Sequence, residues 1–236
     1  MMPEMLESAL DTRPLRVDAE RNLRRLLDAA AEAFAEQGLG VSVAEIARRA
    51  GIGKGTVFRR FPTKEHLVAA IVCDRLGEIT ASGEQLLASA DAGAALLEFM
   101  RAGTALQAQD RGFFEAIAGA ALTQEGDTLI AAKQRLMDVT GGLLEHAQRE
   151  GVVRTDVTAN DVLMLVCACS QAAAPFHAVA PELWQRYVDL IFDGMRPAAA
   201  HPLSQPAPTE EQVRRAHELM LQGPCATSAL PEHDQG

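Results

Sequence analysis

The chain has 236 residues, enough for one large or two modest domains with a buried core and no help from metal or disulfides. Aromatic residues make up only 4% and the net charge is −10, which weighs against broad electrostatic adhesion to a polyanion. Plentiful alanine and few β-branched runs point to an all-α fold.

Cys73, Cys167, Cys169 and Cys225 show no zinc-ligand spacing and are expected as free thiols in a reducing compartment. No metal or cofactor is expected. The N-terminal stretch is acidic and lacks the apolar core of a signal peptide, so a cytoplasmic protein is expected. Residues 162–181 carry no charge, but Ser170, Gln171, Pro175, His177 and Pro181 interrupt them. A buried helix fits that pattern better than a membrane span, and no membrane partner is expected.

Residues 1–15 are expected as a flexible arm. A helix is predicted over 18–37, with Leu23, Leu26, Leu27, Ala30 and Phe34 spaced as an inner face. Gly38 and Gly40 end it. Ser42 with Glu45 forms a capping box for a short helix over 43–50. Gly51 breaks it, and a third helix runs to about Phe61. Thr63 caps a fourth helix over 64–87, and Asp91 caps a fifth. Further helices are predicted over 111–122 and 127–150. Thr158 with Asp161 caps a helix reaching Ala174, and Pro181 fits the first turn of one ending near Met195. Residues 197–208 read as a Pro/Ala-rich linker. Thr209 caps a short amphipathic helix over 209–222, and 223–236 form a tail. The expected domains are therefore 16–65 and 66–196, with the arm before them and residues 197–236 after.

Charge is uneven along this order. Residues 16–65 hold ten basic and seven acidic residues, net +3, against −13 for the remainder. Between Glu45 and Glu65 stand Arg48, Arg49, Lys54, Arg59, Arg60 and Lys64, and no acidic residue. Two short helices around a tight turn, carrying such an island, point to a helix-turn-helix on double-stranded DNA. Ala47 is small where the helices cross, Gly51 tolerates positive φ, and Ile46, Ile52 and Val57 lock the pair onto the first helix. Gly53, Lys54, Gly55, Thr56, Arg59 and Arg60 then face outward. The glycines let the backbone approach the groove. Lys54 and Arg59 reach base edges, Thr56 suits a phosphate or a thymine methyl, and Arg60 and Lys64 suit phosphates. Arg48 and Arg49 are expected only near the backbone or in solvent.

Residues 41–67, Val-Ser-Val-Ala-Glu-Ile-Ala-Arg-Arg-Ala-Gly-Ile-Gly-Lys-Gly-Thr-Val-Phe-Arg-Arg-Phe-Pro-Thr-Lys-Glu-His-Leu, resemble the DNA-binding signature of TetR-type transcriptional regulators. The family pattern is roughly Ile-Ala-x-x-Ala-Gly-Val-Ser-x-Gly-Thr-Leu-Tyr-x-x-Phe-x-Ser-Lys-Glu-x-Leu. The resemblance implies DNA-facing roles for Thr56, Phe58 and Lys64, and together with the residues read above the expected DNA-contact set is Ser42, Lys54, Gly55, Thr56, Phe58, Arg59, Arg60 and Lys64. Two positions depart from it. Gly53 stands where a serine is common, and Phe58 where a tyrosine hydroxyl touches a phosphate. Each lost neutral hydrogen bond is worth about 1 kcal/mol, so binding is weakened rather than abolished.

The resemblance also implies a homodimer on a palindromic operator, a repressor's role and release by a small-molecule effector. The implied dimer interface is Val162, Leu165, Val166, Trp184, Tyr187, Val188 and Ile191. The implied effector pocket draws on Phe99, Met100, Phe113, Phe114, Ile117, Met137, Phe176 and His177, with Glu98, Glu115 or Gln171 as polar anchors. The alternatives are a ligand-binding helical protein with weak or lost DNA binding, or an enzyme. Catalysis is not expected. Cys167 and Cys169 point about 200° apart on a helix, and the Gly51–Thr56 run lacks the spacing of a phosphate-cradling loop.

Overall fold

The computed structural model describes residues 12–37, 40–109 and 126–221. The helix predicted over 111–122 lies outside the described residues, with Phe113, Phe114, Glu115 and Ile117. So do Cys225 and the tail.

Every regular element among the described residues is helical. Helix α1 spans Thr12–Gln37, opening six residues before the predicted Asp18. Residues 12–15 therefore belong to a helix and not to the arm. Pro14 sits in the first turn, where its missing N–H costs nothing. Helix α2 spans Val43–Ala50, and Ser42 Oγ accepts the Glu45 N–H at 3.2 Å. Gly51 ends it at φ 66°, with the Ile52 N–H returning to the Ala47 carbonyl at 3.0 Å, a Schellman-type closure. Helix α3 spans Lys54–Arg60, and Gly53 at its N-cap supplies no side-chain bond.

Helix α4, Lys64–Leu86, starts at Thr63, whose hydroxyl accepts the His66 N–H at 3.4 Å. Helix α5 spans Ala92–Gln109, and Asp91 accepts the Ala94 N–H at 2.8 Å. Helix α6 spans Asp127–Arg149. Helix α7, Ala159–Ala173, opens on a reciprocal capping box between Thr158 and Asp161. A 3-10 turn follows at Ala174–Phe176. Helix α8 spans Leu183–Gly194. Pro181 therefore lies ahead of this helix and not in its first turn, inside a turn closed by the Leu183 N–H on the Ala180 carbonyl at 3.1 Å. Helix α9 spans Glu210–Leu221, where Thr209 and Gln212 cap each other.

Helices α1 to α3 form the head. Leu26, Ala30 and Phe34 of α1 are buried with Ile46, Ala47 and Val57 of the following pair. Helix α4 is the connector. It packs on α1 at one end and on α5 and α6 along the rest. Helix α5 packs in turn on α7 and α8. Leu96, Phe99, Met100, Leu129 and Leu143 are fully buried in this body, each contributing about 1.5–3 kcal/mol of transfer free energy. Buried Thr80, Thr104 and Thr140 donate to carbonyls four residues back, at 2.7, 2.8 and 2.7 Å, so no hydroxyl is stranded among them. Helices α4, α5 and α6 meet tightly at Gly83. A Cβ placed there would fall 2.5 Å from Val139 Cγ1 and 2.8 Å from Phe99 Cε2.

Candidate nucleic-acid interface

The reading surface is set by what the head buries. Val57 is the buried residue of α3, and the others stand exposed: Lys54, Gly55, Thr56, Phe58, Arg59 and Arg60. Gly51 turns the chain between α2 and α3, and a Cβ there would meet Arg25 Nη2 at 3.0 Å. At Gly55 nothing lies within 4 Å of where a Cβ would stand, which leaves open space at the front of α3 for a bulky polymer to approach.

The six basic residues divide into two groups. Arg48 donates to Glu45 at 2.8 and 2.6 Å, and Arg49 bonds both Glu45 at 3.2 Å and Glu36 of α1 at 2.7 Å. These bonds, from Arg48 first and Arg49 second, hold the Glu45 carboxyl down at about 2. The α2 arginines are thus spent on α2 and on its attachment to α1. Lys54, Arg59, Arg60 and Lys64 have no salt-bridge partner among the described residues. Their positive charge is therefore not tied up in ion pairs, on exposed Lys54, Arg59 and Arg60 and half-buried Lys64, and is available to phosphates.

Three of these four lie over aromatic rings. Lys54 Nζ is 5.6 Å from the Phe58 centroid, Arg60 5.9 Å from Phe61, and Lys64 5.8 Å from Phe34. Such contacts restrain a long side chain without neutralising it. Phe58 is 40% exposed, an apolar face beside Lys54 on the reading helix. Ser42 caps α2, and Lys64 opens α4, so both stand at helix starts.

The head is tied to the body by charge. Arg24 of α1 bonds both oxygens of Asp74 on α4, at 3.1 and 3.2 Å, and also pairs with Glu78. Of the Arg24 pairs, the one with Asp28 within α1, at 3.5 Å, follows a local spacing rule. A cleft of about 660 Å³ opens beside this tie, between α1, the end of α3, α4 and the start of α6. Sequence reasoning did not find it, because its walls come from four separate segments.

The expected effector-pocket residues fall into different surroundings. Phe99 and Met100 are sealed in the core, Met137 is half-buried, and Phe176 and His177 are exposed beyond α7. None of these five lines the junction cleft. The expected dimer residues also divide. Val162, Val166, Trp184 and Val188 are buried within the protomer itself. Leu165, Tyr187 and Ile191 are only partly covered. The apolar side chains left open nearby are Met164 at 64% and Leu190 at 55% exposure. The outer face thus combines Met164 and Leu190, which the apolar spacing did not single out, with the partly covered Leu165, Tyr187 and Ile191. Cys73, Cys167 and Cys169 are free, and burial pushes all three thiols up, away from the reactive thiolate.

A short helix pair joined at a left-handed glycine, seated on a longer helix and presenting cations without carboxylate partners, defines a helix-turn-helix DNA-binding protein. Residues 26–71 match the family described as bacterial regulatory proteins, tetR family, and residues 91–197 the C-terminal domain of SbtR-like transcriptional regulators. A TetR transcription regulatory protein from Mycobacterium vanbaalenii is 39% identical, with 78% of this chain and 99% of that one covered and a TM-score of 0.57. The TetR transcriptional regulator SCO0520 from Streptomyces coelicolor is 28% identical, covering 75% and 99%, at a TM-score of 0.59. The HTH-type transcriptional repressor Rv3405c of Mycobacterium tuberculosis is 40% identical over 70 residues, 29% of this chain. The match spans 37% of that curated relative's length. The chain belongs to the TetR family of transcriptional regulators.

Proposed function

We propose that this regulator binds a palindromic operator as a homodimer, acts as a repressor, and lets go when a small-molecule effector binds. The observation that carries the DNA-binding part is the division of charge in the head. The α2 arginines are neutralised, while Lys54, Arg59, Arg60 and Lys64 are not, and they flank Gly55 and Thr56 on an open surface. Lys54, Thr56 and Arg59 read the major groove. Ser42, Arg60 and Lys64 hold phosphates, and the Phe58 ring faces the sugar–phosphate backbone.

Two-fold operator symmetry needs a two-fold protein, with half-sites about 34–36 Å apart. Exposed Met164 and Leu190, with half-covered Leu165, Tyr187 and Ile191, support a dimer through the outer faces of α7 and α8. The effector acts by binding better to a spacing of the two heads that does not fit the operator. In this reading the protein works in the cytoplasm, at the nucleoid, as a binding protein and not a catalyst.

Selection of bound fragments from random double-stranded DNA tests the proposal. Enrichment of one palindrome, lost at high salt, supports it. No enriched sequence from a folded dimer would overturn it in favour of a ligand-binding helical protein that does not read DNA.

A further inference from the structure

The junction cleft is the site that the DNA-binding reading leaves unused. Its volume, about 660 Å³, falls in the range of small-molecule sites, about 300–1,000 Å³. Its walls are apolar: Leu23 and Leu27 from α1, Phe61 from the end of α3, Ala69 and Ala70 from α4, and Leu129 from α6. Asp74 is a polar group among them.

Acidic groups gather beside that wall. Arg24 serves Asp28, Asp74 and Glu78, and Arg75 joins it at Glu78, at 2.9 Å. Two guanidiniums thus serve three carboxylates, Arg24 pairing with all three and Arg75 with Glu78 while also attracting Asp74. Exposed Arg60, Glu65, His66 and Thr128 also line the cleft. Burial pushes the Asp74 carboxyl up in spite of the attraction of Arg24, so the carboxylate is under-compensated where it stands. A monocation with an apolar tail gains twice, from Asp74 and from the walls.

We infer that the junction cleft binds an amphipathic organic cation, with its ammonium on Asp74 in the place of Arg24 and its tail against Leu23, Leu27 and Phe61. This rests on the reading of the chain as an effector-released DNA binder, and it assigns that effector a chemical class and a place. The consequence follows from the contacts. Asp74 is one of two acceptors, with Glu78, through which Arg24 of α1 grips α4, and Phe61 directly follows Arg60 on the reading side. An occupant that takes Asp74 from Arg24 and presses on Phe61 loosens the head from the connector and moves the end of the reading helix. The bound and DNA-competent arrangements then exclude each other, and the coupling is reciprocal.

Calorimetric titration of the full-length protein with octylammonium, octanol and octanoate tests the inference, because the three share one tail and differ in charge. Octylammonium is expected to bind once per protomer, and the other two at least about tenfold more weakly. Asp74→Asn, which removes the charge, and Ala70→Phe, which fills the cleft and leaves every charge in place, are each expected to weaken octylammonium about tenfold or more. Thermal unfolding of each variant confirms that it is folded. Octylammonium is also expected to lower wild-type affinity for the selected operator.

Equal binding of octanoate, retention of octylammonium by both variants, or no saturable heat would overturn the site. Binding with unchanged operator affinity would overturn the release mechanism. The titration uses protein without DNA. A failure of operator recognition therefore appears separately, as absent DNA binding beside intact octylammonium binding.

Discussion

Lys64 and Arg48 carry the same charge and stand in the same basic island, yet the structure assigns them different electrostatic work. Lys64 makes no salt bridge among the described residues and feels only the through-space attraction of Glu65, whereas Arg48 is held by Glu45 at 2.6 and 2.8 Å. Each phosphate neutralised by a protein cation steepens the dependence of log K on log salt by about 0.9. Arg60 and Lys64, the two cations assigned to phosphates, in each of two protomers set a slope of about −3.6. Lys64→Ala removes two phosphate contacts per dimer and flattens the slope by about 1.8. Over a fourfold rise in salt, the variant therefore loses about tenfold less affinity than wild type. Arg48→Ala leaves the slope unchanged, because its charge was never available to DNA. Fluorescence anisotropy on a labelled operator, repeated across a salt series, reads both slopes. A slope for Arg48→Ala as flat as that for Lys64→Ala, or an unchanged slope for Lys64→Ala, would refute the division of the island.

Two glycines of α4 are expected to respond to alanine with opposite signs. Gly77 has open space where a Cβ would go, so Gly77→Ala stabilises by about 0.5–1 kcal/mol through helix propensity. Gly83→Ala forces a methyl against Val139 and the Phe99 ring and destabilises by about 1–3 kcal/mol. Urea unfolding measures both, and shifts of the same sign would contradict the tight α4–α6 contact. Phe58→Tyr is expected to tighten operator binding about fivefold by adding one hydrogen bond worth about 1 kcal/mol. No gain would mean that the ring does not face the phosphate backbone. For Glu45, the folded carboxyl titrates at about 2, below its ordinary 4.5. Its stabilisation is therefore complete above the ordinary value and is lost as pH falls toward the folded one. The stability difference between wild type and Glu45→Gln should stay constant above that window and shrink within it. A constant difference down to the acid limit would remove the Arg48 and Arg49 bonds from the account.

Local chemistry made the helix boundaries legible. Ser42, Gly51, Thr63 and the Thr158–Asp161 pair mark helix ends through bonds that span three to five residues, so the signal and its cause lie in the same stretch of chain. The start of α1 was less legible because a proline near Thr12 suits a loop as well as a first helical turn. The two-sided apolar band of α7 was legible as burial but not as a partner. Periodicity shows that Val162 and Val166 are covered, and only packing shows that α5 and α8 of the same chain cover them. The tie from Arg24 to Asp74 joins residues fifty positions apart and leaves no periodic trace. The same holds for the cleft, whose walls meet only after the head has docked on α4. Charge in the basic island was legible as a total. Which arginines had already been neutralised depended on side-chain geometry.

The claim beneath all of this is that α3 reads DNA sequence. Its most direct test is equilibrium binding, at one fixed salt concentration, to the selected operator and to a scrambled duplex of equal length, for wild type and Arg59→Ala. The account predicts that wild type prefers the operator by about a thousandfold or more. Arg59→Ala should relax the preference at one base pair in each half-site while keeping its affinity for the scrambled duplex within a few-fold. Equal binding of wild type to both duplexes would contradict the account.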